Sequence, residues 1–332
     1  MTIPSELRGT SALVTGGAGF IGGHVVEALL GAGVERVAVL DDFSLGNEAN
    51  LQAVSDSPAL TVERGDCANL AALERLAGEP FDLCFNMAVI PLPASLEDPR
   101  RVVDHNVAMT TAVCELGRAG GFGRLVQFSS SEAYGTAQSV PMSEDHPLLP
   151  TTPYAASKAA TDLIALSYAE TFGLEGVVVR PFNTFGPRQN PGAYAGLIPT
   201  VIGNVRRGEP VTIHGDGEQT RDYAYVTDVV AGVLAAAASA EATGRSINLG
   251  SGEEHTVKEL IRVILESLGE PDWPVEHGPD RPGDVRRLLA DTTLAAELLG
   301  YAPAVGLEDG MRETVSWYLA NPDRAASAAP AG

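Results

Sequence analysis

The 332-residue chain contains only three cysteines, Cys67, Cys84 and Cys114, and they form no CxxC pair. An odd number of widely spaced cysteines disfavours both a disulfide framework and a structural zinc site, so we expect no metal. No apolar run approaches the ~18 residues of a membrane span, and no basic segment precedes an apolar stretch near Met1. The sequence therefore predicts a cytoplasmic protein with no signal peptide, no transmembrane helix and no membrane partner.

Positive charge is also scarce, with 22 Lys+Arg against 43 Asp+Glu and a formal net charge of −21. This balance disfavours nucleic acid and anionic membranes as partners, because phosphate backbones require a basic surface. Only two lysines occur, Lys158 and Lys258. The 45% hydrophobic and 20% charged residues are typical of a folded protein and exclude disorder over most of the chain.

Short β-branched runs alternate with helical patterns over the first 180 residues. We predict strands at 11–15, 36–41, 60–64, 83–87, 124–129 and 176–180, with helices between them at 21–31, 70–77, 102–118 and 155–172. Such alternation indicates an α/β fold, a Rossmann-type doubly wound parallel sheet, because right-handed crossovers connect parallel strands.

The pattern becomes irregular after residue 180, where proline and glycine cluster. We predict a cofactor-binding domain at 1–180 and a smaller, irregular C-terminal substrate domain at 181–322, with some of its chain returning to the sheet. The Ala- and Pro-rich tail 323–332 is expected to be loosely ordered.

A GxxGxxG spacing follows the first predicted strand at Gly16, Gly19 and Gly22. These glycines permit a tight turn, a close approach of the backbone to a pyrophosphate, and close helix–strand packing, while the helix N-terminus attracts phosphate. Asp41 ends the second strand, where a carboxylate accepts both ribose hydroxyls and repels a 2′-phosphate, so NAD is favoured over NADP. Asp66, after the third strand, is a candidate acceptor for the adenine amino group. The predicted cofactor contacts also include neighbours of these positions, namely Phe20, Ile21, Asp42, Ser44, Gly46 and Cys67.

Two further motifs predict the catalytic residues, a Ser-rich segment at 129–135 and a Tyr-x-x-x-Lys spacing at Tyr154 and Lys158. Residues four apart share one face of a helix, and an ammonium group beside a phenol lowers the phenol's pKa. Tyr154 could then take a proton from a substrate hydroxyl while hydride leaves the same carbon, with Ser130 bonded to that hydroxyl oxygen.

With these motifs, the sequence resembles the extended short-chain dehydrogenases that modify nucleotide sugars, the NAD-dependent epimerase/dehydratase family. The resemblance extends from about residue 12 to 319 and includes the segments RPFNTFGPRQ at 180–189, IHGDGEQTRDY at 213–223 and RPGDVR at 281–286. It implies a tightly held NAD that oxidises C4 of a nucleotide-diphospho sugar, expected to be UDP-linked. It also implies a homodimer formed through the helices at 102–118 and 155–172.

The resemblance further assigns residues to the two ligands. It places Met87, Ala88, Val89, Asn106 and Pro181 at the cofactor, although the segment FNMAV at 85–89 lacks the histidine common in the family. It implies that Arg221 and Arg281 bind the pyrophosphate, that Asn183 contacts phosphate or sugar, and that His214 lies against the nucleobase. Ser131 and Leu197 complete the predicted substrate contacts.

Three reactions share a 4-keto intermediate, and Glu132 is the position that discriminates between them. Decarboxylases of UDP-glucuronate and GDP-mannose dehydratases carry a similar Ser-Glu pair, whereas glucose dehydratases have Asp where this chain has Ser131. The run Leu288-Leu289-Ala290 lacks the basic residues of the decarboxylases. UDP-glucuronate decarboxylation is our first hypothesis, followed by 4-epimerisation of a UDP-hexose or hexuronate and by 4,6-dehydration. A non-enzymatic NAD sensor is disfavoured because both Tyr154 and Lys158 are present.

Overall fold

A computed structural model describes residues 4–192, 195–281 and 283–322. The predicted loose tail at 323–332 lies outside the described residues. The strands are β1 Ser11–Thr15, β2 Arg36–Asp41, β3 Leu60–Arg64, β4 Phe81–Asn86, β5 Phe122–Phe128, β6 Glu175–Pro181, β7 Asn183–Phe185, β8 Val211–His214, β9 Thr220–Arg221, β10 Tyr223–Tyr225, β11 Ser246–Leu249, β12 His255–Thr256 and β13 Val275–Gly278. Seven of them form one parallel sheet in the order β11-β6-β5-β4-β1-β2-β3, which confirms the doubly wound prediction.

Helices cover both faces of this sheet. The α-helices are α1 Phe20–Gly31, α2 Leu70–Leu76, α3 Leu92–Glu97, α4 Pro99–Arg118, α5 Pro153–Phe172, α6 Leu197–Arg207, α7 Val226–Ala238, α8 Val257–Leu268, α9 Thr293–Leu299 and α10 Leu307–Ala320. Short 3-10 helices lie at Ser5–Leu7, Glu48–Asn50, Gln52–Val54, Ser131–Tyr134 and Ala240–Ala242. Side chains of β1 alternate between two cores, with Val14 packing among α1 and α7 residues and Leu13 among α2, α4 and α5 residues.

The chain after residue 181 contributes elements both to the main sheet and to a separate core. β11 returns to the edge of the main sheet beside β6, and α7 packs with α1 on one face. A separate core joins α6, α8 and α10 around Phe185 and Tyr225. Three two-stranded sheets, β10-β7, β12-β9 and β13-β8, hold the connecting segments of this part.

Several elements were absent from the sequence prediction, including the short strands β7 to β13 and the helix α3. β11 is a run of only four residues whose parallel partner, β6, lies more than sixty residues earlier, so no local pattern marks it. α3 begins after Pro91, which is the N-cap residue of this short helix. No helix within the described residues is long and apolar enough to cross a membrane.

Candidate active site

The glycine segment forms a tight turn between β1 and α1. Gly16 has φ +68°, and a Cβ there would lie 2.8 Å from the Ala88 Cα atom. A Cβ on Gly22 would lie 2.2 Å from the Gly16 carbonyl oxygen, so only glycine allows α1 to start this close to the strand. Gly19 caps α1, which begins at Phe20 and Ile21, without a side-chain hydrogen bond. The free N–H groups and backbone cradle fit a dinucleotide pyrophosphate.

Asp41 lies beside this turn and supports it directly. Its two carboxylate oxygens accept hydrogen bonds from the backbone N–H groups of Ala18 and Phe43, each at 2.9 Å. Burial raises the pKa of this carboxyl above its usual range. Because a carboxylate has about four acceptor positions, two remain for ribose hydroxyls after these contacts. Asp41 therefore shapes the glycine turn as well as offering the predicted ribose contact.

The other predicted adenosine contacts surround the ends of β2 and β3. Asp42 accepts from Ser44 N–H at 2.8 Å, and a Cβ on Gly46 would lie 2.6 Å from the Asp41 carboxylate. Asp66 already faces His105 of α4, with Nε2 and Oδ1 3.1 Å apart. Burial raises the pKa of the Cys67 thiol, which leaves it an unreactive packing residue.

We expect Asp41→Asn to weaken NAD binding about tenfold, equivalent to about 1.4 kcal/mol. The amide keeps one acceptor oxygen but loses the negative charge that repels a 2′-phosphate, so the preference for NAD over NADP should shrink. Titration calorimetry with both nucleotides measures this. Asp56→Asn, at an exposed carboxylate, is the control for net charge. An unchanged NAD/NADP ratio in Asp41→Asn would contradict the assignment.

The loop after β4 is held against the glycine turn by Thr15. The Thr15 hydroxyl accepts from the N–H groups of Met87 at 3.0 Å and Ala88 at 3.2 Å. Asn106 holds the next part of this loop, accepting from Ile90 N–H at 2.8 Å and donating to the Ser157 hydroxyl at 3.0 Å. Val89 lies between these two anchors. Asn106 thus positions the cofactor loop relative to α5, using the side chain that the resemblance placed near the cofactor.

The catalytic segment and α5 bring the predicted acid–base residues together. Ser130 caps the Ser131–Tyr134 turn by accepting from Glu132 N–H at 3.2 Å, and its hydroxyl also faces the Tyr154 phenol. Tyr154 and Lys158 share one face of α5, and the buried Lys158 Nζ donates to the Phe128 carbonyl at the end of β5. Ser130, Tyr154 and Lys158 therefore occupy the carboxyl end of the sheet, where doubly wound folds bind ligands.

The pKa of Tyr154 departs from the sequence expectation. Burial raises it to about 12, with the negative charges of Glu132 and Asp162 adding to the effect. Burial also lowers the pKa of Lys158 to about 8. In the protein alone, burial disfavours the charged form of both groups, and this effect opposes the lowering of the phenol pKa that the sequence predicts from the neighbouring ammonium.

Glu132 connects this catalytic group to a neighbouring cavity. Burial raises the pKa of its carboxyl, the positive charge of Arg221 opposes that rise, and the negative charge of Asp284 adds to it. Its charge in turn acts on Tyr154. A carboxyl with a raised pKa spends more of its time protonated at neutral pH, so it can donate a proton to a substrate.

A cavity of about 180 Å³ is lined by Arg221 and Asp284, the two residues whose charges act on Glu132. Five of the six predicted substrate residues line it, namely Asn183, Leu197, His214, Arg221 and Arg281. The sixth, Ser131, does not line it and is only 1% exposed, because the Ser131–Tyr134 turn points this side chain inward. Arg221 is buried and paired with Asp284 at 2.6 Å, and it also donates to the Thr220 carbonyl.

The cavity also includes residues that sequence reasoning missed, namely Thr212, Gln219, Tyr223, Val257 and Asp284. Gln219 and Tyr223 flank Arg221 within the segment 213–223, and Asp284 follows Arg281 by three residues. The motif signal was therefore present, but it did not show which side chains face the cavity. The predicted cofactor contact Pro181 is the last residue of β6 and pairs with Leu249, the last residue of β11.

Comparison with known proteins gives a consistent result. Residues 12–250 match the model of the NAD dependent epimerase/dehydratase family. A dTDP-glucose 4,6-dehydratase of Streptomyces griseus is 39% identical over 93% of this chain and 94% of that protein. A UDP-glucose 4-epimerase of Mycolicibacterium smegmatis is 36% identical over 92% of this chain and 97% of that protein. The dTDP-glucose 4,6-dehydratase DesIV of Streptomyces venezuelae, solved with NAD bound, is similar with a TM-score of 0.89, at 35% identity over 94% of this chain and 98% of that chain.

Proposed function

The chain belongs to the NAD-dependent epimerase/dehydratase family, and on that premise we propose that it oxidises C4 of a UDP-linked sugar and then acts at C5 through Glu132. We further propose UDP-glucuronate as the substrate and decarboxylation as the overall reaction. The proposal rests on the Glu132 carboxyl, whose pKa burial raises and whose charge interacts with Tyr154 on one side and with the cavity residue Arg221 on the other.

The first step needs a base at the C4 hydroxyl. Tyr154 takes the hydroxyl proton, and Ser130 donates a hydrogen bond to the same oxygen. Lys158 supplies the positive charge that favours the phenolate. NAD, when bound, accepts the hydride that leaves C4. The product of this step is a 4-keto sugar whose C5 substituents are activated for loss.

Glu132 suits the step that follows better as an acid than as a base. In a 4-keto uronate, the bond from C5 to the carboxylate breaks, carbon dioxide leaves, and C5 takes a proton from a protonated Glu132 as the electron pair of that bond is released. Because the proton arrives as the bond breaks, loss of carbon dioxide depends on this acid. A neutral Glu132 also avoids repelling the substrate carboxylate.

4,6-Dehydration is the second candidate, because dehydratases of dTDP-glucose are among the similar proteins. That reaction removes a proton from C5 and protonates a leaving hydroxyl on C6, so two protonatable groups serve it best. Ser131, buried and unable to act as an acid, stands next to Glu132. A 4-epimerase, the activity of another relative, needs no carboxyl at this position.

The cavity contains two arginines and a histidine that suit a nucleoside diphosphate. We propose that Arg221 and Arg281 bind the pyrophosphate, since a guanidinium fork pairs well with phosphate oxygens. Asn183 then reaches phosphate or sugar, and His214 lies at the nucleobase end. We also propose a homodimer through α4 and α5, where Leu163 and Phe172 are more than half exposed.

Mass spectrometry of products decides between these reactions. The purified protein is incubated with NAD and, separately, with UDP-glucuronate, UDP-glucose and their N-acetyl relatives. We expect loss of carbon dioxide from UDP-glucuronate. Loss of water from a UDP-hexose would establish dehydration instead, and a new isomer without mass change would establish epimerisation. No turnover of any of these sugars would contradict the proposed substrate class.

A further inference from the structure

A chain of buried polar side chains lies beneath the catalytic helix. Arg180 of β6 donates through Nε to Asp162 Oδ2 at 2.9 Å and through Nη1 to the Tyr134 hydroxyl at 2.9 Å. Tyr134 in turn donates to Asn248 Oδ1 at 2.7 Å. The Asp162 side chain is 0% exposed. This network therefore ties α5 to β6, to β11 and to the turn that carries Glu132.

Asp162 lies one helical turn beyond Lys158 and two turns beyond Tyr154. Residues at this spacing share a face of α5, and both Asp162 and Lys158 are buried. One carboxylate oxygen is bound by Arg180, whereas Oδ1 makes no hydrogen bond of normal geometry among the described residues. The negative charge of Asp162 is thus only partly neutralised and lies on the side of the helix that carries Lys158.

The electrostatic environment agrees with this geometry. Burial lowers the pKa of Lys158, and the negative charge of Asp162 opposes that lowering. Burial raises the pKa of the Asp162 carboxyl, and the Arg180 guanidinium, the Ser129 hydroxyl and the Lys158 ammonium oppose that rise and favour its charged form. Tyr154 faces Glu132 as well as Asp162, and Arg180 faces Tyr134. A buried lysine without a neighbouring carboxylate would lose its proton more readily still.

We propose that Asp162 is a positioning residue that, held by Arg180, keeps the Lys158 ammonium charged beside Tyr154 during C4 oxidation. This rests on the proposed role of Tyr154 and Lys158. A buried ion pair alone gives little net stability relative to apolar residues of similar size. Removal of one partner alone leaves an uncompensated buried charge, so stability does not report the proposed role and the titration of Lys158 does.

The sign of the effect follows from the charges. Asp162→Asn removes the negative charge and leaves the Arg180 guanidinium uncompensated, so Lys158 loses its proton at a lower pH. At neutral pH a larger fraction of Lys158 is then neutral and Tyr154 loses its cation. The alkaline side of the pH–rate profile for C4 oxidation should move to lower pH, an effect that a loss of packing alone would not produce.

The two lysines of the chain allow a direct test by NMR titration with isotope-labelled lysine. Lys258→Arg assigns the two side-chain signals. We expect Asp162→Asn to lower the Lys158 titration midpoint by about one pH unit or more, and Asp162→Glu to restore most of that shift. Asp222→Asn is the matched control, because Asp222 is a fully buried carboxylate that binds Ser251 and Gly252 instead. An unchanged Lys158 midpoint in Asp162→Asn overturns the proposal.

A second variant covers the case in which Asp162→Asn does not fold. The double variant Asp162→Leu/Arg180→Met removes both buried charges together and should lower the Lys158 midpoint in the same direction; a midpoint equal to the wild-type value overturns the proposal. The titration requires no substrate, so its result does not depend on which reaction the protein catalyses. Failure of wild-type protein to convert any nucleotide sugar would refute that reaction while leaving the lysine result to be judged by itself.

Discussion

Tyr154→Phe is expected to reduce formation of the 4-keto sugar by at least about 100-fold, because the phenylalanine ring cannot take the C4 hydroxyl proton. The ring fits the same partly buried position, and the structure places the phenol against the Ser130 hydroxyl. The substitution should therefore leave the fold and NAD binding intact. Single-turnover absorbance of the reduced cofactor, with circular dichroism of the same sample, measures both.

Tyr168→Phe provides the matched control on the same helix. The Tyr168 hydroxyl donates to Glu115 of α4 at 2.6 Å and lies about four helical turns beyond Tyr154. Tyr168→Phe also removes one phenolic oxygen, but this variant should oxidise C4 of the substrate at the wild-type rate. Near-normal oxidation in Tyr154→Phe would show that another group removes the proton.

The sequence predicted those parts of the fold that local patterns mark. The ranges 11–15, 36–41 and 60–64 coincide with β1, β2 and β3, because each is a short run rich in aliphatic and β-branched residues. The GxxGxxG spacing located the dinucleotide turn because Gly16 and Gly22 leave no room for a side chain. β11 was not predicted, since its pairing with β6 depends on chain that is remote in sequence.

The sequence names candidate site residues but not their environment. Tyr154, Lys158 and Glu132 are candidates from spacing and resemblance, and they stay predictions. Their pKa directions depend on burial and on charges from other elements, such as Arg221 acting on Glu132. Asp162 showed no sequence signal, because its partner Arg180 lies on a different element and meets it only in the folded chain.

Glu132→Gln is expected to separate the two chemical steps. C4 oxidation depends on Tyr154, Ser130 and Lys158, so the 4-keto sugar should still form. The amide keeps the size of the side chain but has no acidic proton for C5, so release of carbon dioxide should fall by about 100-fold or more. Rapid-quench mass spectrometry with UDP-glucuronate should show the 4-keto uronate accumulating.

The pH dependence provides an independent check on the same residue. Since burial raises the pKa of Glu132, the wild-type second step should be fastest while the carboxyl is protonated and should slow as pH rises through that pKa. Glu132→Gln should lose this dependence. Glu144→Gln is the control, because Glu144 is another carboxyl whose pKa burial raises but which binds Asn248 N–H away from the cavity. Full turnover in Glu132→Gln would instead favour 4-epimerisation, the one reaction of the three that needs no acid at C5.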